Sequence, residues 1–339
     1  MPSDTHTNTH EPEACRSAPH VVPDRGILTT EQRLDSSGNL DALTILDTLR
    51  LMNDQDAAVA GAVRAAIPAI AGLVESAVEA MRRGGRLIYL GAGTSGRLGV
   101  LDASECPPTF HSDPAQVVAI IAGGDEALRR SSEGAEDDPN GAAAPLSKLN
   151  VSTNDVVVGI AAGGTTPFVW GALRLARTRG AKTALVCCVQ ESAVPAQNAA
   201  RRIGPTTAAF RLPDHVVRLP VGPEVLTGST RMKAGTATKM ALNMITTAVF
   251  VQRGKAWGNL MVDLRASNVK LADRAARILS EQCPQLGGSK VAALELLSRA
   301  GGRVKAALVM SRKNVDYQIA LALLEQHDGR LRPILGPPA

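Results

Sequence analysis

Four short aliphatic runs, each closed by glycine or small polar residues, recur between residues 86 and 189 and restrict what the chain can fold into. They are RLIYLGAGTSG from Arg86, QVVAIIAGGDEA from Gln116, DVVVGIAAGGTTPFVWGAL from Asp155 and KTALVCCV from Lys182. Continuous apolar runs of this length suit parallel strands buried on both faces. Helical patterns separate them. Strand and helix in alternation predict a doubly wound α/β sheet, with ligands expected beyond the carboxyl ends of the strands.

From Leu40 to Arg83 the pattern is helical. Asn53 or Asp54 is available as an N-cap, Val59, Val63, Ile67, Ile70, Val74, Val78 and Met81 recur at threes and fours, and Pro68 is a candidate kink. Gly84 and Gly85 are placed to stop the helix. A long helix is expected from about Met232 to Val251, and three short helices from Ser289 onward, punctuated by Gly301, Gly302 and Asn314. The expected organisation is a disordered tail (1–27), an N-terminal helical segment (28–76), the α/β domain (77–240), a continuation of the long helix with a connector (241–284) and a small C-terminal three-helix module (285–335).

Composition removes several function classes. The chain has four Phe, two Tyr and two Trp in 339 residues, too few for rows of stacking platforms on single-stranded nucleic acid. Its net charge of +5 comes from scattered basic residues, without a stripe, and fits a small anionic substrate at least as well as a polyanion. Five cysteines without a CxxC pair suggest reduced thiols in a cytoplasm, and six separated histidines offer no metal-ligand spacing. No apolar stretch approaches the ~18 residues of a membrane span. The expectation is a cytoplasmic protein with no nucleic-acid, membrane or metal partner.

GAGTSG, Gly91 to Gly96, follows a strand and opens a helix. It satisfies GxGxxG, but a dinucleotide site needs an acid ~20 residues on, and Asp125 lies 29 after Gly96. Gly93, Thr94 and Ser95, with free amides at a helix N-terminus, suit a phosphate monoester instead. Gly164, Thr165 and Thr166 repeat the arrangement before Pro167, although a Thr N-cap followed by proline explains that turn equally well. TGSTRMKAGTATK places Ser229, Thr230, Arg231, Lys233 and Lys239 at the entry of the long helix. Cations there oppose the dipole and call for a compensating anion, although a basic exposed turn explains them equally well.

LDASECPPTF sets Asp102 and Glu105 three apart, beside Cys106 and two prolines. A carboxylate lodged among Leu101, Cys106, the prolines and Phe110 would be held in its acid form, as a proton donor requires. A solvent-facing Glu at a helix end is the other reading. In EGAEDD, Glu133 and Glu136 share a helical face at i and i+3, the usual mark of a solvated surface. Tyr89, Phe110, Phe168 and Trp170 fall in or beside these segments, where lone rings could shape a sugar pocket.

RLIYLGAGTSGRLGVLDASECPPTF, EGAEDD, GPEVLTGSTRMKAGTATKMALNM and GNLMVDLRASN together resemble the N-acetylmuramic acid 6-phosphate etherases, built on a sugar isomerase (SIS) domain. The resemblance runs from about Leu28 to Leu335 and includes TEQR at Thr30 to Arg33. It implies a cofactor-free lyase that cleaves the D-lactyl ether, giving N-acetylglucosamine 6-phosphate and D-lactate. It also implies a homodimer with sites completed across the interface. The two catalytic glutamates of the family fall on Glu105, as proton donor, and Glu136, as base for the C2 proton. Where the family usually reads AASGRTPY this chain has Gly163, Thr165 and Phe168 in place of Ser, Arg and Tyr. Leu34 and Asp35 stand where Asn-Pro is usual, and His111 where Gly is common. A non-catalytic sugar-phosphate sensor, like the glucokinase regulatory protein that shares this fold, is therefore a rival; a phosphosugar isomerase and a dinucleotide oxidoreductase are weaker ones.

Overall fold

The computed structural model describes residues 25–190, 213–264 and 268–338. Most of the expected tail, with Cys15, lies outside the described residues, as does Phe210. The first helical stretch is three helices, α1 (Ile45–Asp56), α2 (Val59–Ala65) and α3 (Ile67–Arg82). Thr44, not Asn53 or Asp54, is the N-cap, its side chain accepting from the Asp47 amide at 3.1 Å. Pro68 sits in the first turn of α3, where its missing N–H costs nothing, and the helical stretch bends by 56° at the break just before it, so the expected kink takes the form of a helix start.

Five parallel strands follow: β1 (Leu87–Gly91), β2 (Val117–Ile121), β3 (Val156–Ile160), β4 (Lys182–Cys187) and β5 (His215–Arg218). Their order is β2-β1-β3-β4-β5. Four of them are the aliphatic runs, and β5 is a short edge strand that the sequence patterns miss. Every residue of β1 and β3 is buried, as continuous apolar runs at the centre of a sheet require. Helix α4 (Gly93–Phe110) links β1 to β2, α5 (Ala143–Lys148) precedes β3, α6 (Pro167–Thr178) links β3 to β4, and α7 (Lys233–Gln252) follows β5.

The sheet is covered on both faces. Ile70, Leu73, Val74, Ala77 and Met81 of α3 pack with Cys106 and Phe110 of α4 and with Leu242, Ile245 and Val249 of α7 on one side. Leu146 and Phe168, Val169, Trp170 and Leu173 of α6 cover the other. A third cluster runs from Trp257 to Ile334 and joins α8 (Val269–Gln282), α9 (Lys290–Arg299), α10 (Val304–Lys313), α11 (Tyr317–Gln326) and α12 (Arg332–Leu335). The three expected C-terminal helices are α9 to α11, and α8 shares their core. Among the described residues no single helix is long and apolar enough to cross a membrane.

The register places Gly91 opposite both Ile121 and Ile160. The turns after β1 and β3 therefore leave the same edge of the sheet, on adjacent strands whose connections diverge to opposite faces. A crevice at such a switch point is where an open α/β sheet holds its ligand.

Candidate functional site

The first wall of the crevice is the turn from β1 into α4. A Cβ on Gly96 would lie 2.6 Å from the Gly91 carbonyl oxygen, and one on Gly91 would lie 2.9 Å from the Gly96 amide nitrogen, so both ends of the turn require glycine. Gly93 adopts φ +51°, a left-handed conformation that favours glycine by sterics alone. Thr94 and Ser95 are half-buried in the first turn of an 18-residue helix, with hydroxyls and amides at its positive end.

The second wall is the turn from β3 into α6. Gly164 has φ +69°, and its carbonyl accepts from Trp170 Nε1 at 2.8 Å. Thr166 is the N-cap, with no side-chain capping bond, and Pro167 is the first helical residue. The third segment comes from the loop before α7. A Cβ on Gly235 would lie 3.5 Å from both the Thr230 carbonyl oxygen and Thr94 Cγ2, so the α7 entry abuts the first wall. The N-terminal segment closes the ring: Leu28 and Thr30 lie against Gly163, and Glu31 against Gly228. Hydroxyl-bearing segments far apart in sequence thus converge at one edge of the sheet.

The anion expected at the α7 N-terminus is supplied by the chain itself. Buried Glu224 accepts from the amides of Lys233 (3.0 Å) and Ala234 (2.9 Å), nine and ten residues further on, and so caps the helix from the preceding loop. Lys233 is buried too, and its Nζ donates to Gln55 Oε1 at 2.8 Å. Arg231 and Lys239 are exposed, and the charge of Lys239 acts on Asp102 of α4.

The two glutamates occupy different places. Glu136 is half-buried in a 3-10 turn, Glu133–Glu136, that packs against α6. Glu105 is on α4 with its side chain exposed, as the solvent-facing reading of LDASECPPTF has it and not as an enclosed acid. The helical period explains the difference. Asp102, Cys106 and Phe110, at i, i+4 and i+8, face the core, whereas Leu101, Glu105 and Pro108 face outward.

The desolvated carboxylate is Asp102, 5% exposed. Tyr89 Oη donates to it at 3.1 Å, Asn243 Nδ2 at 2.9 Å and Thr246 Oγ1 at 3.2 Å. Burial pushes its carboxyl above its ordinary value against the pull of these donors. Cys106 donates to the Asp102 carbonyl, and burial pushes its thiol up to about 12, too high for a nucleophile. His111 ends α4 in a left-handed conformation and is exposed.

The aromatic residues do not line the crevice as expected. Tyr89, Phe168 and Trp170 are fully buried, and Phe110 stacks on Phe250 with centroids 4.7 Å apart. A core built mainly from small aliphatic side chains takes its few large fillers there. Among the described residues no group of three His, Cys, Asp or Glu side chains is placed to hold a metal ion. The thiols of Cys106, Cys187, Cys188 and Cys283 are free and buried.

Residues 69–177 match the family described as glucokinase regulatory protein N-terminal SIS domain. The chain is 50% identical over 312 residues to the N-acetylmuramic acid 6-phosphate etherase of a Synechococcus strain, covering 92% of this chain and 93% of that protein. It is 50% identical over 310 residues to the enzyme of the same name from Gloeobacter violaceus, covering 91% and 95%. A phosphoheptose isomerase from Francisella tularensis superposes at 17% identity with a TM-score of 0.43, covering 61% of this chain and 98% of that one.

Proposed function

The chain belongs to the N-acetylmuramic acid 6-phosphate etherase family, and from that premise we propose that it cleaves the D-lactyl ether of N-acetylmuramic acid 6-phosphate to N-acetylglucosamine 6-phosphate and D-lactate. It is a carbon–oxygen lyase of the SIS fold. Identity of 50% across 92% of the chain carries this reading.

The crevice suits the phosphate. Gly93, Thr94 and Ser95 on one side, Gly164, Thr165 and Thr166 on the other, and Ser229 with Thr230 from the α7 entry offer hydroxyls and helix-terminal amides to its oxygens, with Arg231 at the rim. Lys233 is left out of this set because its ammonium is committed to Gln55. In the ring-opened sugar the C1 aldehyde acidifies C2, and Glu136 removes that proton. The C3–oxygen bond breaks as Glu105 protonates the departing lactate oxygen, and water then adds to the unsaturated intermediate.

This division of labour calls for two subunits. Glu105 lies twelve residues after Gly93, about 18 Å down the helix axis from the phosphate turn. The substrate is far shorter than that. A homodimer in which α4 of one protomer presents Glu105 to the crevice of its partner supplies both glutamates to one sugar. Leu101, one turn before Glu105, and Met244 of α7 are exposed apolar side chains on the described surface, suited to such an interface.

The direct test is incubation with N-acetylmuramic acid 6-phosphate and measurement of released D-lactate. Binding without release would favour a second reading, a sugar-phosphate sensor. That reading is favoured by the match to the glucokinase regulatory protein domain and by Gly163, Thr165 and Phe168 at the altered turn.

A further inference from the structure

The N-terminal segment that folds over the crevice holds a hydroxyl with nothing to bond. Thr30 is 1% exposed, and its Oγ1 has no hydrogen-bond partner among the described residues. The neighbouring Thr29 Oγ1 is also buried without one. Such a group forfeits its hydration without return, so its persistence asks for a partner that arrives later. Two local backbone bonds, Leu28 N to Arg25 O and Glu31 N to Leu28 O, both 2.9 Å, hold the segment in place, and Leu28 is buried beneath it.

The place of the missing partner can be read from Gly163. A Cβ built there would lie 3.6 Å from Thr30 Oγ1, 3.6 Å from Leu28 Cδ1 and 3.8 Å from Thr165 Oγ1, all ordinary contacts. A side chain would fit, and position 163 has none. The space is bounded by two hydroxyls from separate segments at the entry of the twelve-residue helix α6. An oxygen a few tenths of an ångström nearer the two hydroxyls than that Cβ position comes within roughly hydrogen-bonding range of both.

We infer that Thr30 is a substrate-binding residue: its hydroxyl and that of Thr165 together hold a phosphate oxygen of the sugar in the space left by Gly163, so that the N-terminal segment supplies a donor that position 163 does not. The inference rests on the proposed phosphate position in the crevice. The hydroxyl is shielded from bulk water by the segment itself, so the ligand oxygen reaches it from the turn side.

The test is Thr30→Val, which keeps shape and volume and removes the hydroxyl. KM for N-acetylmuramic acid 6-phosphate, read by D-lactate release, should rise about tenfold, more than any fall in kcat. The Tm of the unliganded protein should stay level or rise, because no intramolecular bond is lost. Adding Gly163→Ser to Thr30→Val should bring KM back toward the starting value by restoring a hydroxyl to the same space. An unchanged KM in Thr30→Val would overturn the inference, and so would a raised KM accompanied by a lower Tm, which marks a structural role. Titration with N-acetylglucosamine 6-phosphate makes the same comparison without turnover. A wild-type protein that binds this sugar but releases no lactate would therefore fail the etherase reading and leave Thr30 still tested.

Discussion

Asp102 and Glu105 are three residues apart on α4, roughly 60° apart around its axis, yet Asp102 is buried between β1 and α7 while Glu105, at the edge of that face, is exposed to solvent. The buried acid has three donors and fixes the helix to its neighbours. The exposed acid is the proposed proton donor. Substitutions should separate the two roles. Tyr89→Phe removes one donor from the buried carboxylate and should lower unfolding stability by about 1.5 kcal/mol in urea. Glu105→Gln should change stability by less than about 0.5 kcal/mol and abolish lactate release.

The α7 cap provides a second test. Glu224 accepts from two buried amides, so Glu224→Ala orphans both. The loss should be about 2 to 4 kcal/mol, seen as a lower urea midpoint at unchanged m-value. Glu224→Gln keeps one acceptor oxygen and should lose about half as much.

Acid should unfold the protein partly through Asp155. Burial pushes its carboxyl up, but the Arg86 guanidinium, bonded at 2.9 Å to each carboxylate oxygen, and the Ser152 amide hold it below its ordinary value overall. A carboxyl whose folded value is depressed stabilises the fold above its unfolded value of about 3.9, and that stability is lost as pH falls through the folded value. Asp155→Asn should flatten the pH dependence of stability below about pH 4. At neutral pH it should cost about 3 kcal/mol, since a buried pair loses its acid.

The crevice turn should distinguish two kinds of glycine. Gly93→Ala places a methyl in open space and should cost only the left-handed backbone strain, about 1 kcal/mol. Gly96→Ala sets a methyl against the Gly91 carbonyl and Ile121 and should cost more, about 2 to 3 kcal/mol. It should also raise KM, because the turn must open to admit the methyl.

Four strands are legible in the sequence because a strand buried on both faces has no polar alternation to obscure it. The fifth, His215–Arg218, is four residues long with charged or polar ends, as an edge strand can be, and gives no apolar run. The pairing of Glu224 with the start of α7 joins a loop residue to a helix through space, and no local pattern announces it. The outward direction of Glu105 was legible. Asp102, Cys106 and Phe110 share one helical face, and the period sets Glu105 outside its edge, roughly 60° beyond Asp102. Convergence of the turns at Thr94, Thr165 and Thr230 needed the strand order, which sequence spacing does not contain.

In the proposed homodimer one active site takes Glu136 from one protomer and Glu105 from its partner. Co-expression of Glu105→Gln and Glu136→Gln chains under different affinity tags, with purification through both, isolates the mixed dimer. One of its two sites then carries both glutamates and the other neither. With each parent variant inactive, the mixed dimer should release D-lactate from N-acetylmuramic acid 6-phosphate at about half the wild-type rate, one of two sites being intact. A mixed dimer as silent as its parents, alongside an active wild type, would contradict the account.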